Sequence, residues 1–247
     1  MKKIFLLFLT AFLIAANSSA QNVAINADAS LPNSSAMLDV KSTSKGFLPP
    51  RLDSTQRTAI VSPATGLTVY NTSINAFQVF NGSSWYSTVH FIGEKYGGGI
   101  VFYVYDNGQH GLIAATADQG GRPFWYNGVF RYTGTLGDGL NAGSGNTTLT
   151  VATQIADNQT ASFAAKVCAD YSVTVGDVSY GDWYLPAKYE LNLLYINRNS
   201  VGGFVNNYYW SSTEVDMNLV WSQQFGSGAM GGYYKLNNFF VRPIRAF

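Results

Sequence analysis

Cys168 is the only cysteine in 247 residues, so no disulfide can close within the chain and no zinc cluster can be built on cysteine. Stability must therefore come from packing. The material available for packing is aromatic: 16 tyrosines, 16 phenylalanines and 5 tryptophans, set among 25 glycines and many Ser, Thr and Asn, with only 12% charged residues. That texture is strand-rich and loop-rich, as in extracellular surface proteins. The formal charge is +1, and removing Lys2 and Lys3 with a leader gives +1 − 2 = −1. A near-neutral chain does not hold nucleic acid or an anionic membrane by bulk electrostatics.

The first twenty residues read as a cleaved secretory signal: a basic start at Met1-Lys2-Lys3, an apolar run from Ile4 to Ala16, and small residues from Asn17 to Ala20. The apolar run is too short to span a bilayer, and no later segment reaches eighteen uninterrupted apolar residues. No cysteine follows it, so no lipoprotein anchor is expected there. The mature chain is expected to be secreted or cell-surface.

Residues 21–90 are polar and punctuated by turn formers such as Leu48-Pro49-Pro50-Arg51 and Ser62-Pro63-Ala64-Thr65-Gly66. Between them, Leu67–Tyr70 and Phe77–Phe80 alternate as hairpin strands, Asn81-Gly82 predicts a tight two-residue turn, and Ser54–Ile60 predicts a short helix. The segment has few large apolar residues, so an independent monomeric core is not expected; it calls for oligomerisation or a neighbouring domain. The runs Ala36-Met37-Leu38-Asp39-Val40-Lys41-Ser42, Lys45-Gly46-Phe47-Leu48-Pro49-Pro50-Arg51, Gly66-Leu67-Thr68-Val69-Tyr70-Asn71-Thr72 and Asn81-Gly82-Ser83-Ser84-Trp85 resemble an N-terminal module of secreted surface and tail-fibre-like proteins of Bacteroidetes-type bacteria and their phages. The resemblance implies a connector or stalk, a homo-trimer through this module, and no chemistry of its own.

From 91 to 247 the strands lengthen. Ile100–Tyr105 and Gly111–Thr116 predict a hairpin across Asp106-Asn107-Gly108. Ala161–Tyr171 predicts a helix with Phe163, Val167 and Tyr171 on one face; Pro186 opens a second, Ala187–Asn197, striped by Leu191, Leu194 and Tyr195. Strands return from Asn206 to Phe247. Two helices among mostly antiparallel strands give an α+β fold class after a small β-rich N-terminal module.

Several motifs in this second domain agree with one another: Gly93–Val104, Gly181-Asp182-Trp183-Tyr184-Leu185-Pro186-Ala187-Lys188-Tyr189-Glu190-Leu191, Tyr209-Trp210-Ser211-Ser212-Thr213-Glu214, then Trp221, Phe225, Lys235 and Val241-Arg242-Pro243-Ile244-Arg245-Ala246-Phe247. In that order and spacing they resemble the C-terminal domain of the Legionella collagen-like protein and the Fibrobacter succinogenes major paralogous domain, both of the C-type-lectin-like superfamily. The likeness covers about Phe91 to Phe247 and implies a C-type-lectin-like fold. In the residues themselves, Trp183, Trp210 and Trp221 suit a structural role, each an apolar mass with one N–H donor. Arg242 and Arg245 likewise read as structural, one of them holding a carboxylate such as Glu214 or Glu190 in a bidentate pair.

The intervals between these residues carry Asp, Met, Asn, Tyr, Phe and Gly, a composition resembling binding loops in which rings give area and short polar groups adapt. Asp216, Met217, Asn218, Gln224, Met230, Tyr233, Tyr234, Asn237, Asn238 and Phe239 are the candidate ligand-binding residues. The pattern also resembles target proteins of diversity-generating retroelements, whose C-terminal ligand-binding residues are diversified. The alternative reading is an ordinary β-hairpin with aromatic cross-strand packing.

No GxxxxGK[ST], HExxH or GxSxG is present, and His90 and His110 are isolated, so the chain is expected not to be an enzyme. The calcium tripeptides of sugar-binding C-type lectins and the cysteine pair of formylglycine-generating enzymes are missing. Gly137-Asp138-Gly139-Leu140-Asn141 reads as a turn rather than a calcium loop, Gly97-Gly98-Gly99 precedes a strand rather than a phosphate-binding helix, and Cys168 reads as a buried inert thiol. No metal and no cofactor are expected. The sequence therefore predicts an adhesin or receptor-binding protein that recognises a glycan or surface protein, or else a structural surface or fibre subunit that uses the same face for assembly.

Overall fold

A computed structural model describes residues 22–157 and 161–247. The signal read in residues 1–20 lies outside the described residues. The chain begins with two short parallel strands, β1 (Val23–Ile25) and β2 (Leu38–Val40), that pair only with each other. Then β3 (Arg51–Leu52), α1 (Ser54–Thr58), β4 (Thr68–Asn71), β5 (Ala76–Phe80) and β6 (Trp85–Ser87) build a four-stranded sheet in sequence order. Helix α1 is shorter than its expected range and starts on a capping box: Asp53 accepts from the Gln56 amide while Gln56 accepts from the Asp53 amide. The β5–β6 turn is a four-residue loop, with Phe80 opposite Trp85, and not the expected two-residue turn. The Asn81 side chain accepts from the amides of Ser83 and Ser84, so only Gly82 needs a positive φ, +102°.

The remainder is mixed, mostly strands with a few helices. Strands β7 (Lys95–Tyr96), β8 (Gly99–Tyr105) and β9 (His110–Ala114) join with the last strand of the chain, β15 (Ile244–Ala246), in the order β15-β9-β8-β7. The expected hairpin forms, turning through Asp106–Gly108 with Asp106 and Asn107 at positive φ. Between these ends lie α2 (Ala142–Ile155), α3 (Ala164–Ala169), the hairpin β10 (Val173–Val175) with β11 (Val178–Tyr180), α4 (Lys188–Ile196) and α5 (Arg198–Val201). A separate antiparallel sheet follows, β12 (Tyr208–Glu214), β13 (Leu219–Gln224) and β14 (Met230–Tyr234).

The two expected helices are thus joined by others, and the longest, α2, is absent from the sequence reading. Its buried residues are Gly143, Asn146, Thr147, Thr150 and Gln154, a stripe of helical period made of small and polar side chains. An apolar pattern could not reveal it. Its close approach has a reason at Gly143, where a Cβ would fall 2.7 Å from both the Ala187 amide nitrogen and the Leu185 carbonyl oxygen. Helix α3 is shorter than Ala161–Tyr171; Phe163 sits before it and Tyr171 after it, and both still pack inward, on separate core clusters. Helix α4 buries Leu191 and Leu194 beside Phe102, Leu112, Tyr209 and Phe225, with Tyr195 packed at the edge of that cluster. Cys168 is fully buried, and that burial pushes its thiol far above the usual cysteine range, so it is an inert packing group.

Candidate ligand-binding face

Strand alternation divides the β12-β13-β14 sheet into two faces. Tyr208 lies opposite Gln224, Trp210 opposite Ser222, which in turn faces Gly231, and Val220 opposite Tyr233, so these share one face. Tyr209, Gln223, Met230, Trp221, Gly232, Leu219 and Tyr234 belong to the other, which turns toward α4.

On the first face an aromatic cluster forms. The chain after β14 returns beside β12, with Phe240 N–H donating to Tyr208 O at 3.0 Å and Trp210 N–H to Phe240 O at 2.9 Å. That places Phe239 over the face, 4.5 Å from the Trp210 ring, 4.9 Å from Tyr208 and 5.5 Å from Tyr233. Tyr208 and Tyr233 lie 4.6 Å apart, and the Tyr233 hydroxyl donates to the Tyr208 hydroxyl at 3.0 Å, which pushes the Tyr233 phenol above its ordinary value. Trp210 is fully buried and its N–H is used by Pro123 O at 3.0 Å; Tyr208, Tyr233 and Phe239 are half-buried and form a rim above it. Beside the rim, Arg122 holds Asn238 through two bonds to its carbonyl, 3.1 and 2.8 Å, and accepts one from its amide at 3.1 Å.

The ten candidate residues are not one patch. Tyr233 and Phe239 are in the rim, and Asn238 adjoins it. Asp216, Met217 and Asn218 form the exposed tip of the β12–β13 hairpin, where Asp216 accepts from the amides of Asn218 and Leu219 at 2.7 and 2.8 Å. Gln224 uses its carbonyl oxygen on the amides of Gly226 and Ser227, shaping the next turn. Met230 and Tyr234 lie on the opposite face, Tyr234 exposed, and Asn237 sits in the turn beyond it. Tyr208 was missed by the sequence reading; period-two alternation from the buried Trp210 would have placed it on the rim.

Buried polar groups fix the long segment between β9 and α2. Glu214, fully shielded from solvent, accepts from the amides of Thr133, Gly134 and Thr135 and pairs with Lys235. The Lys235 ammonium also donates to Arg131 O at 2.7 Å and stands 4.6 Å from the Trp125 ring. Burial pulls this ammonium below the usual lysine range, with Glu214 opposing the pull. Glu190 accepts from the amides of Asn141, Gly143 and Ala187 and from the Tyr184 hydroxyl; burial raises its carboxyl despite these four donors.

The expected Arg–Glu pairing is corrected here, because both glutamates are already filled by main-chain amides. Arg245 makes the bidentate pair, with Asp182 at 2.6 and 2.9 Å, and Arg242 pairs with Asp118 at 2.7 Å and with the carbonyls of Ala115 and Gly203. Trp183 is buried and donates to Tyr180 O at 3.0 Å, whereas Trp221 is half-buried under the Lys188 ammonium at 4.4 Å.

Elsewhere, His110 and Asp106 form an exposed pair at 3.8 Å, and His90, bonded to Glu94 at 2.9 Å, packs at a tilt against Tyr96. Among the described residues no group of three or more His, Cys, Asp or Glu is placed to hold a metal ion, and no helix is long and apolar enough to cross a membrane. A cleft of about 520 Å³ walled by Gly97–Gly99, Val173, Val175 and Tyr180 opens at the other sheet, away from the rim.

Residues 24–96 match the family model of the phage tail like trimerisation region. The match takes in β1 from Ala24 through β7 and fits a tail-fibre-like N-terminal module; it leaves residues 97–247, including the aromatic face, outside. A search of the curated proteins finds no match to the chain.

Proposed function

We propose that this protein is a non-catalytic surface or tail-fibre-like subunit in which the N-terminal module assembles three copies and the C-terminal part, a C-type-lectin-like head, recognises a glycan or a surface protein. The observation that carries the recognition reading is the rim itself. Three aromatic rings are held half-open to solvent by a buried tryptophan and by main-chain bonds, with Asn238 and Arg122 beside them. Such rings offer stacking area to the C–H face of a sugar at little conformational cost, and neighbouring short polar groups supply hydrogen bonds. The resemblance of residues 91–247 to lectin-like and retroelement-diversified domains supports the same reading. The family match supports assembly, and with it the second reading, a structural subunit whose rim packs on a neighbouring chain.

Glycan arrays and surface extracts probed with the purified chain separate these. Because Tyr233 and Tyr234 point to opposite faces, Tyr233→Ala is expected to lower affinity about tenfold to a hundredfold, while Tyr234→Ala, matched in circular dichroism, leaves it unchanged. Binding that Tyr233→Ala does not touch would overturn the recognition reading. Loss of oligomer in Tyr233→Ala would select the structural one.

A further inference from the structure

We infer that the apolar face of the β1–β2 ladder is the surface on which three copies of this chain meet, an inference that rests on the trimeric reading above and assigns it to particular side chains. In the parallel register Val23 pairs with Leu38 and Ile25 with Val40, so all four stand on one face, while Ala24 and Asp39 stand on the other. The four are exposed to 52, 53, 58 and 41% in the order Val23, Leu38, Ile25, Val40. From Asn22 to Leu48 no residue is buried. A two-stranded sheet with an uncovered apolar face is not stable alone in water.

The ladder is nevertheless specified in detail. Val23 N–H donates to Met37 O at 2.8 Å and Lys41 N–H to Ile25 O at 3.0 Å; Asp39, on the back, accepts from the Asn33 amide at 2.9 Å; and Lys41 pairs with Asp28 at 2.8 Å. The polar groups are spent on the back and the connecting loop, and the front is left entirely apolar. Leu31, Met37, Phe47 and Leu48 are exposed in the same stretch. An exposed apolar strip rimmed by polar groups, as the four ladder residues form, marks an interaction surface.

The occupant is a second and third copy of this chain, because all of the ladder but Val23 lies within residues 24–96, the segment matched by a trimerisation family. Three ladders around one axis, each turning its apolar face inward, close on themselves and leave the charged backs outside. Two ladders face to face would close as well, so the count of three rests on the family match.

Size-exclusion chromatography with light scattering on the purified chain is expected to give three chain masses, and Val23→Asp/Leu38→Asp one. A wild-type chain of one mass would overturn the trimeric reading itself. A wild-type trimer that persists in the double variant would overturn this face and leave the trimer standing. A second variant guards against misfolding: with Cys168 buried, Ile25→Cys supplies the one accessible thiol among the described residues, and a three-armed maleimide is expected to link three chains on a denaturing gel. Val175→Cys, exposed on the separate β10–β11 hairpin, is expected to give no such band. A trimer in which Ile25→Cys fails to link, or links no better than Val175→Cys, would equally overturn the inference.

Discussion

Replacing Lys235 by Met removes one charge and little volume from the place where the segment before α2 is tied to the β12-β13-β14 sheet. Lys235 and Glu214 have side chains with 0% exposure, so the remaining carboxylate cannot turn to water. Removing one partner of a buried pair costs about 3–5 kcal/mol. The lower end applies here, because the amides of Thr133, Gly134 and Thr135 continue to solvate Glu214 after the ammonium is gone. A loss of about 3 kcal/mol, at 2–4 °C per kcal/mol for a domain of this size, lowers Tm by about 6–12 °C. The assay is thermal unfolding followed by near-ultraviolet circular dichroism, which reports the packing of the aromatic side chains, Trp125 and Trp210 among them. Lys235→Met/Glu214→Gln is expected to recover at least about 1 kcal/mol of the sum of the single changes, since the uncompensated charge is then absent. A shift below about 2 °C in Lys235→Met, or a double variant as poor as that sum, would refute the claim that a dry ion pair anchors this segment.

Two further outcomes follow from the scaffold. Gly143→Ala sets a Cβ 2.7 Å from two main-chain atoms that cannot yield, so α2 must retreat from Glu190; urea unfolding is expected to show a loss of about 3 kcal/mol, whereas Gly145→Ala, with nothing within 4 Å, gains up to about 1 kcal/mol. At Asp182 burial raises the carboxyl but Arg245 outweighs it, holding it below the usual aspartate range; the folded state then binds fewer protons than the unfolded one in acid. The stability from this pair is present above about pH 4 and is lost as pH falls through the folded value, and Asp182→Asn should flatten that acid limb of a stability–pH curve. A wild-type limb retained in Asp182→Asn would reject the assignment.

The sequence was most legible where local chemistry decides the structure. The β8–β9 hairpin is written in alternation and Asp106-Asn107-Gly108, and α4 in Pro186 with Leu191 and Leu194. Helix α2 was not legible, since its inward stripe of Gly143, Thr147, Thr150 and Gln154 has no apolar period; it is held by hydrogen bonds and close approach. Partners across long sequence distances were also out of reach: nothing local tells Arg245 to choose Asp182 over Glu190. Tyr233 and Phe239 were marked by composition, but composition cannot separate Tyr233 from Tyr234, which share a dipeptide and face opposite ways. The poverty of the N-terminal core was visible in advance, and it reappears as apolar side chains of β1 and β2 with nothing over them.

A recognising head on a threefold stalk is tested in both halves together by comparing binding in solution with binding to a dense surface. The glycan or extract that retains the chain on the array is measured by titration in solution, then as a coating. Val23→Asp/Leu38→Asp is expected to leave the per-site affinity in solution unchanged but to weaken retention on the coating by about 10²-fold or more, because three linked heads no longer engage at once. Equal retention of both forms on the coating, or no binding by the wild-type chain in either format, would contradict it.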